Sequence, residues 1–249
     1  MRNKIKYRGA QRGFTLLEML FSIAILSIVA GAIFSHINVA TQRASTEQAK
    51  LDNFQEARDF VDQFFRDINQ IGYPNSRMID TTQVFNPVLA SPLINDSRLA
   101  IGLVKIAANE IRFEGDTNGT GTVESIRYAV NGSGICTLCL QRSQADKVTG
   151  DPLNGQVQNW GTEVNDVIST QIFTYFDSNG NQITTLPADT STVAGQQALA
   201  SVKTIKISLT IQNTAVVDQA TRQPIQTNFE GEVSLNNCSM AAAGQSRSC

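Results

Sequence analysis

Histidine and tryptophan are almost absent from this chain of 249 residues, which contains one of each. The single histidine, His36, lies at the end of a long apolar segment, which argues against Ser-His or Cys-His catalysis in the polar remainder. It also has no second histidine beside it with which to bind a metal ion. Motifs of hydrolases, zinc proteases and nucleotide-binding loops are absent as well. We therefore expect a protein that is not an enzyme and that needs no cofactor.

Acidic residues are missing from the first 13 positions, which carry five positive charges: Arg2, Lys4, Lys6, Arg8 and Arg12. Without them, the other 15 basic residues face 22 acidic ones, a formal charge of −7. Such an acidic surface does not favour nucleic-acid binding. Cations ahead of an apolar segment orient it with its N-terminus in the cytoplasm, so we expect the rest of the chain to be exported.

Proline, lysine, arginine and aspartate are all missing between Phe14 and Ile37. These 24 residues, at about 1.5 Å each, are long enough to cross the hydrocarbon core of a membrane. Glu18 is the one acidic residue among them, and a charge at bilayer centre costs about 2.5–3.5 kcal/mol. Its place near one end lowers that cost but still calls for a partner. A secretory signal peptide would be shorter and would precede its cleavage site, so we expect this segment to stay on the mature protein.

The run Gly13-Phe14-Thr15-Leu16-Leu17-Glu18 after a basic leader resembles the class III signal of type IV pilins. Minor pilins and the pseudopilins of type II secretion and competence share it. The resemblance implies that a prepilin peptidase removes residues 1–13 by cleaving between Gly13 and Phe14, and that Phe14 is then N-methylated. It also implies that Glu18 attracts the N-terminal ammonium of a neighbouring subunit during assembly. Each of these two charges stabilises the other in an apolar bundle, and either alone is costly.

Small residues recur at helical spacing in the apolar segment, namely Ala24, Ser27, Gly31 and Ser35. Such a stripe lets helices approach closely in a membrane or a bundle, so we expect this face to pack against neighbouring subunits. The resemblance implies three kinds of partner: other pilins or pseudopilins bound through this helix, the prepilin peptidase and the inner-membrane assembly platform.

Helical periodicity continues beyond the apolar segment until Gly72-Tyr73-Pro74 ends it. One face carries Leu51, Phe54, Ala57, Val61, Phe64, Phe65, Ile68 and Ile71. We therefore predict one helix from about Phe14 to Ile71, with a transmembrane first half (14–38) and an amphipathic second half (39–72). The globular domain is then 73–249.

Strand-like runs separated by turns follow an irregular stretch at 75–98. We predict strands at 99–106, 110–114, 123–130, 135–142, 167–176, 182–185, 202–212 and 228–235, with 143–166 and 186–201 as loops. The predicted fold class is α+β, a type IV pilin-like meander of antiparallel strands packed on one long helix. The runs FEGDTNGTGTVESIRYAV, FTYFDSNGNQI and KTIKISLTI resemble W-type minor pilins and J-type pseudopilins.

Two acidic turns, beginning at Asp116 and at Asp177, have the acidic and amide residues of calcium-binding loops. Neither fits an EF-hand, because the twelfth position of the first is Arg127 and the sixth of the second is Gln182. A site of another kind could use Asp116, Asn118 and Glu124, but hairpin turns whose side chains cap their own backbone are favoured.

Four cysteines lie in the part expected to be exported, where oxidation is expected. They allow three pairings. We favour Cys136 with Cys139, which requires a turn between them, and Cys238 with Cys249, which resembles the C-terminal disulfide loop of pilins.

The sequence thus indicates a subunit of the inner membrane, with one membrane span and a periplasmic or extracellular domain. A minor pilin that takes part in assembly or priming of a type IV pilus is the first hypothesis. A J-type pseudopilin of type II secretion is the alternative within the same superfamily. A membrane-anchored binding module is the alternative from another class.

Overall fold

The computed structural model of the protein describes residues 13–74, 96–134, 136–218 and 221–235. Most of the loop predicted at 75–98 lies outside these residues. By its internal contacts the chain divides into two units, Met1–Glu47 and Gln48–Cys249. The second of these is called the folded unit. Helix α1, Leu16–Asn69, contributes residues to both. It is also the only helix in the described part of the chain that is long and apolar enough to span a membrane.

The second half of α1 supplies one wall of the core. Its buried residues follow the helical period: Ala49, Asn53, Ala57, Phe60, Val61, Phe64, Asp67 and Ile68. Most of the predicted face is correct, but Leu51 and Phe54 remain 63% and 46% exposed. After Asn69, Gly72 takes a positive φ of 70°, where L side chains are strained, and its amide binds the carbonyl of Glu114. The helix therefore ends two residues before the predicted Ile71.

Among the described residues, nine strands and a second helix follow α1. They are β1 (Leu103–Ile106), β2 (Glu110–Gly115), β3 (Glu124–Val130), β4 (Leu140–Asp146), β5 (Trp160–Val164), β6 (Phe173–Phe176), β7 (Ala188–Asp189), α2 (Val193–Ser201), β8 (Thr204–Val217) and β9 (Pro224–Ser234). All neighbouring strands pair antiparallel. The α+β class is therefore confirmed.

The strands form two sheets rather than one continuous meander. The first sheet has the order β5-β4-β3-β2-β1-β7, and the second has the order β6-β8-β9. Strand β8 alternates strictly, since Ile205, Ile207, Leu209 and Ile211 are buried and the residues between them are not. The predicted strand at 182–185 is reduced to one isolated bridge between Phe176 and Gln182.

Three elements were predicted as loops: β5, β7 and α2. Strand β5, Trp-Gly-Thr-Glu-Val, contains three residues that favour strands, but Gly161 and Glu163 interrupt them, and pairing with β4 completes the strand. Helix α2 is capped by Thr192, whose hydroxyl accepts a hydrogen bond from the Gly195 amide at 3.0 Å. Its Ala- and Gln-rich sequence favours a helix, so composition alone could have indicated it.

Aromatic rings join α1 to both sheets. Tyr128 on β3 lies 5.8 Å from Phe60 and 5.3 Å from Phe64, centroid to centroid, in edge-to-face contacts. Phe64 also stacks on Phe173 of β6 at 5.6 Å. Each such pair contributes about 0.5–1.5 kcal/mol beyond the area that it buries. Phe64 is therefore the side chain on which helix and both sheets converge.

A buried carboxylate fixes the same contact. Asp67, on α1, is 1% exposed. Its Oδ2 accepts hydrogen bonds from the Tyr128 hydroxyl at 2.7 Å and from Nε of Arg142 on β4 at 2.8 Å. Its Oδ1 accepts one from the Gln63 side chain at 2.7 Å. Burial, followed by the charge of Asp67, raises the pKa of Tyr128 well above its usual value, so the tyrosine remains a donor.

A second buried ion pair lies on the other side of the first sheet. Nζ of Lys147 is 2.9 Å from Oε2 of Glu114, and both side chains are 1% exposed. The lysine also donates to the carbonyl of Leu99 at 2.8 Å, and the carboxylate accepts from the amide of Ile101 at 3.0 Å. The pair therefore holds the chain just before β1 against the sheet.

We predict that Asp67→Asn destabilises the folded unit by about 3 kcal/mol, because the amide still accepts from Tyr128 but removes the charge that pairs with the mostly buried guanidinium of Arg142. The expected fall in Tm is roughly 6–12 °C, measured on the mature chain in detergent. Asp59→Asn is the matched control, since Asp59 has the same side-chain bond from a glutamine four residues earlier but is exposed. Equal changes in Tm for the two variants would contradict the role given to Asp67.

The partly buried carboxylate of Glu163 on β5 should make the stability of the folded unit depend on pH. Burial raises its pKa above the usual value; the attraction of Arg142 opposes this rise and the charge of Asp67 adds to it. As pH falls through the raised pKa, the native state takes up this proton before the unfolded state does, which stabilises the native state. The difference in Tm between wild type and Glu163→Gln should therefore move in favour of wild type between about pH 7 and about pH 4.5. Glu232→Gln, on β9, is the exposed control, and an equal trend in both variants would refute this assignment.

Candidate functional site

The N-terminal end of α1 is closed by reciprocal hydrogen bonds between Thr15 and Glu18. Oε2 of Glu18 accepts from the backbone amide and from the hydroxyl of Thr15, both at 3.0 Å. The Glu18 amide donates back to the Thr15 hydroxyl at 3.3 Å. This is a capping box, and it explains why the helix begins at Leu16 rather than at the predicted Phe14. The T-x-x-E spacing could have located this boundary from sequence.

Gly13 and Phe14 therefore lie outside the helix. The Phe14 side chain is 77% exposed. A methyl group placed on Gly13 would meet no atom within 4 Å. The peptide bond between the two residues is thus open to an enzyme, and substitution of Gly13 does not disturb the packing of the described residues.

The apolar part of α1 exposes its side chains all around the helix. Among the large ones, Leu16, Leu26 and Ile28 are 80%, 67% and 73% exposed. Its hydroxyls are satisfied internally, since Ser22 and Ser27 donate to the carbonyls of Glu18 and Ile23, both at 2.8 Å. Such a surface suits a lipid environment or an apolar bundle, where unpaired polar groups are costly.

The predicted small-residue stripe lies on this same surface. Ala24, Ser27, Gly31 and Ser35 are all exposed, and nothing lies within 4 Å of the position where Gly31 would carry a methyl group. His36 is exposed as well. The stripe is therefore available for contact with another helix, and its packing role stays a prediction.

The cysteines fall into two groups. Cys136 and Cys139 are joined by a disulfide in the connection between β3 and β4. A turn is present there, because Leu138 has a positive φ of 62° and the amide and carbonyl of Cys139 both bond to Asn131. Strand β4 accordingly begins at Leu140 instead of the predicted residue 135. Cys238 and Cys249 lie outside the described residues, so their pairing stays a prediction.

The acidic turn between β2 and β3 is filled by its own hydrogen bonds. Asp116 accepts from the amides of Thr120 and Gly121, at 3.0 and 2.9 Å. Glu124 accepts from both donors of Thr117 and from the Asn118 side chain. These carboxylates cap the turn, which is the arrangement that the sequence favoured over calcium. No cluster of three or more metal-ligating side chains occurs among residues 13–74, 96–134, 136–218 and 221–235.

An open groove of about 260 Å³ runs between α1 and β9 in the folded unit. Its apolar walls come from rings, of which Phe54 and Phe229 lie 5.7 Å apart. The charged side chains at its rim belong to Arg58, Asp62 and Glu230.

Comparison with known protein families identifies a motif in the N-terminal segment. Residues 8–34 match the family described as the prokaryotic N-terminal methylation motif. No curated protein shows significant similarity to the chain. The match covers Gly13, Phe14 and Glu18, and it supports membrane anchoring through the apolar helix and a structural subunit rather than an enzyme. The chain thus carries a prokaryotic N-terminal methylation motif, which supports a signal of the type IV pilin kind.

Proposed function

We propose that this protein is a minor pilin, a structural subunit that takes part in assembly or priming of a type IV pilus. The observation that carries the proposal is the methylation motif at residues 8–34, which includes most of the exposed apolar part of α1. The long helix and the antiparallel strands packed against its second half also support it, since the resemblance implies one long helix packed on antiparallel strands.

In this proposal a prepilin peptidase cleaves between Gly13 and Phe14 and methylates Phe14. The position of this bond outside the helix supports cleavage, because a protease needs an extended and accessible substrate. Removal of residues 1–13 takes away five cations and creates a new positive charge at Phe14. The leader also orients the chain, with its N-terminus in the cytoplasm and the folded unit in the periplasm.

Glu18 then supplies the charge that selects neighbouring subunits. In a single chain its carboxylate is bound by Thr15, a neutral partner. In an apolar bundle a carboxylate gains more from an ammonium than from a hydroxyl, because the two charges then compensate each other. The N-terminus of a neighbouring subunit is the cation that processing provides. The stripe of Ala24, Ser27, Gly31 and Ser35 would let the helices approach closely enough for this contact.

Two alternatives share parts of this reasoning. A J-type pseudopilin of type II secretion would carry the same motif and the same helix, and secretion by a strain that lacks the protein separates it from a pilus subunit. A membrane-anchored binding module would use the groove between α1 and β9 as its ligand site. Such a module would keep its function when processing is blocked, which neither assembly subunit should do.

Gly13→Val is the direct test. Because no atom of the described residues lies within 4 Å of the position where Gly13 would carry a Cβ, the variant should fold normally and keep residues 1–13 in the presence of the peptidase. Wild type should begin at N-methyl-Phe14 only when the peptidase is present. Intact mass and N-terminal sequencing of the membrane-extracted protein measure both. A wild-type chain that keeps its leader, or one cut beyond the apolar segment, would refute the proposal.

Glu18→Gln separates cleavage from assembly. The amide can still accept from Thr15, so the cap and the cleavage site are kept while the charge is lost. We expect cleavage to continue and the protein recovered with sheared fibres to fall at least about tenfold, the factor that corresponds to 1.4 kcal/mol. Glu47→Gln, on α1 beyond the apolar segment, is the control. Equal recovery from the two variants would show that the charge of Glu18 has no part in assembly.

A further inference from the structure

A row of three cations crosses neighbouring strands of the first sheet. Lys105 on β1 is paired with Arg112 on β2, and Arg112 with Arg127 on β3. The row continues through Ser143 on β4 to Trp160 on β5. All five lie on the face opposite the aromatic core, because their strand neighbours Ile111, Phe113, Ile126 and Tyr128 are the buried apolar residues.

Like charges directly opposite each other on adjacent strands destabilise a sheet. Here the repulsion is not relieved by water, since Arg112 is only 7% exposed. Burial, followed by the charge of Arg127, lowers the pKa of Arg112. A position that breaks a general rule of strand pairing is one where a functional reason is expected.

One carboxylate, Glu110, lies at ion-pair distance from the row, while Asp151 and Asp189 act on it by charge from further away. Glu110 pairs with two of the cations, at 2.9 Å from Nζ of Lys105 and 2.6 Å from Nε of Arg127. Asp151 accepts instead from the Leu153 amide and the Asn154 side chain, in its own turn. Asp189, across from Lys105, is bound in the same way by Ser191. In the described part of the chain, one carboxylate therefore makes the ion pairs of the whole row.

The row also has hydrogen-bond donors to spare. Nη1 of Arg112 donates to the carbonyls of Leu153 and Pro152, at 2.8 and 3.4 Å, whereas its buried Nε has no partner among the described residues. Nη1 of Arg127 makes one long contact of 3.5 Å with the side chain of Gln158. Its guanidinium lies 5.1 Å from the ring of Trp160, which fixes its plane. An arginine guanidinium that is fixed in position and has free N–H donors matches the geometry of carboxylate and phosphate oxygens.

We propose that the row Lys105–Arg112–Arg127 is a binding site for an oxyanion, the carboxylate or phosphate group of a ligand. Lys105 and Arg127, whose side chains are 28% and 23% exposed, would contact the anion directly. Arg112 beneath them would add positive charge and hold the segment after β4 in place through Pro152 and Leu153. This site is independent of leader cleavage and of fibre assembly.

The chain carries its own reporter for this site, because Trp160 is its single tryptophan. An anion that binds Arg127 changes the charge beside the indole and should change its fluorescence. We would titrate the mature full-length chain in detergent with inorganic phosphate and, separately, with citrate, against sodium chloride of equal ionic strength. Saturable changes with phosphate alone, or with citrate alone, assign the class of oxyanion.

Three variants decide whether the response belongs to the row. Lys105→Gln and Arg127→Gln should each weaken binding roughly tenfold or more, since each removes a charged donor. Arg127→Lys keeps the charge and should retain part of the affinity. Lys206→Gln is the matched control, because Lys206 also pairs with one carboxylate, Glu230, but lies on the second sheet. Thermal unfolding verifies that each variant is folded. If Arg127→Gln does not fold, the test rests on Lys105→Gln. A response that sodium chloride reproduces, that Lys105→Gln leaves unchanged, or that does not occur with either anion would overturn the proposal.

Discussion

The folded unit depends on one buried carboxylate. Asp67 reaches from α1 to β3 and β4 at once, and its three donors are a tyrosine, an arginine and a glutamine. A charge at 1% exposure is tolerated only when both oxygens are satisfied and an opposite charge is close, and here both conditions are met. The apolar rings of Phe60, Phe64 and Tyr128 supply most of the burial, but apolar contacts are non-directional and tolerate a shift of the helix along the sheet. The ion pair of Asp67 with Arg142 is lost on such a shift, so it sets the register of α1 on the sheet.

The sequence of α1 changes character where its environment changes. In its first part apolar residues surround the helix, hydroxyls are bonded to the helix backbone, and one acid sits in the first turn within a capping box. From Ala49 onward the burial follows a single stripe. The first pattern needs no partner of fixed shape, as is typical of helices in lipid or in a bundle. The second needs a sheet of complementary shape, which the strands after Gly102 provide.

Periodicity and turn chemistry were enough to predict α1, the strands β1 to β3 and much of β6 and β8, because their apolar residues repeat at the period of the element. They failed for β5, because its five residues are a short run interrupted by Gly161 and Glu163, and the strand is completed by pairing with β4. The division into two sheets was equally out of reach, since it depends on which strands meet in space. Helical periodicity does not distinguish Asp67 from the other charged residues of α1, and only the pairing of β3 with β4 brings Tyr128 and Arg142 to it. The processing site needed no tertiary contact, which is why a local motif could indicate it.

Strand β2 allows the two kinds of buried charge to be compared within one element. Glu114 and Arg112 are two residues apart, face the same side and are both over 90% buried. Glu114 has an opposite charge at 2.9 Å that is as buried as itself, and a lysine so placed has a clear structural purpose. Arg112 has cations as its cross-strand partners on both sides. If holding the segment after β4 were its whole purpose, a neutral donor could bind Pro152 and Leu153 without placing a third positive charge in the row. The proposed oxyanion, shared by the row, would add to the charges of Glu110 and Asp151 that already act on Arg112, and so would account for the difference between the two residues.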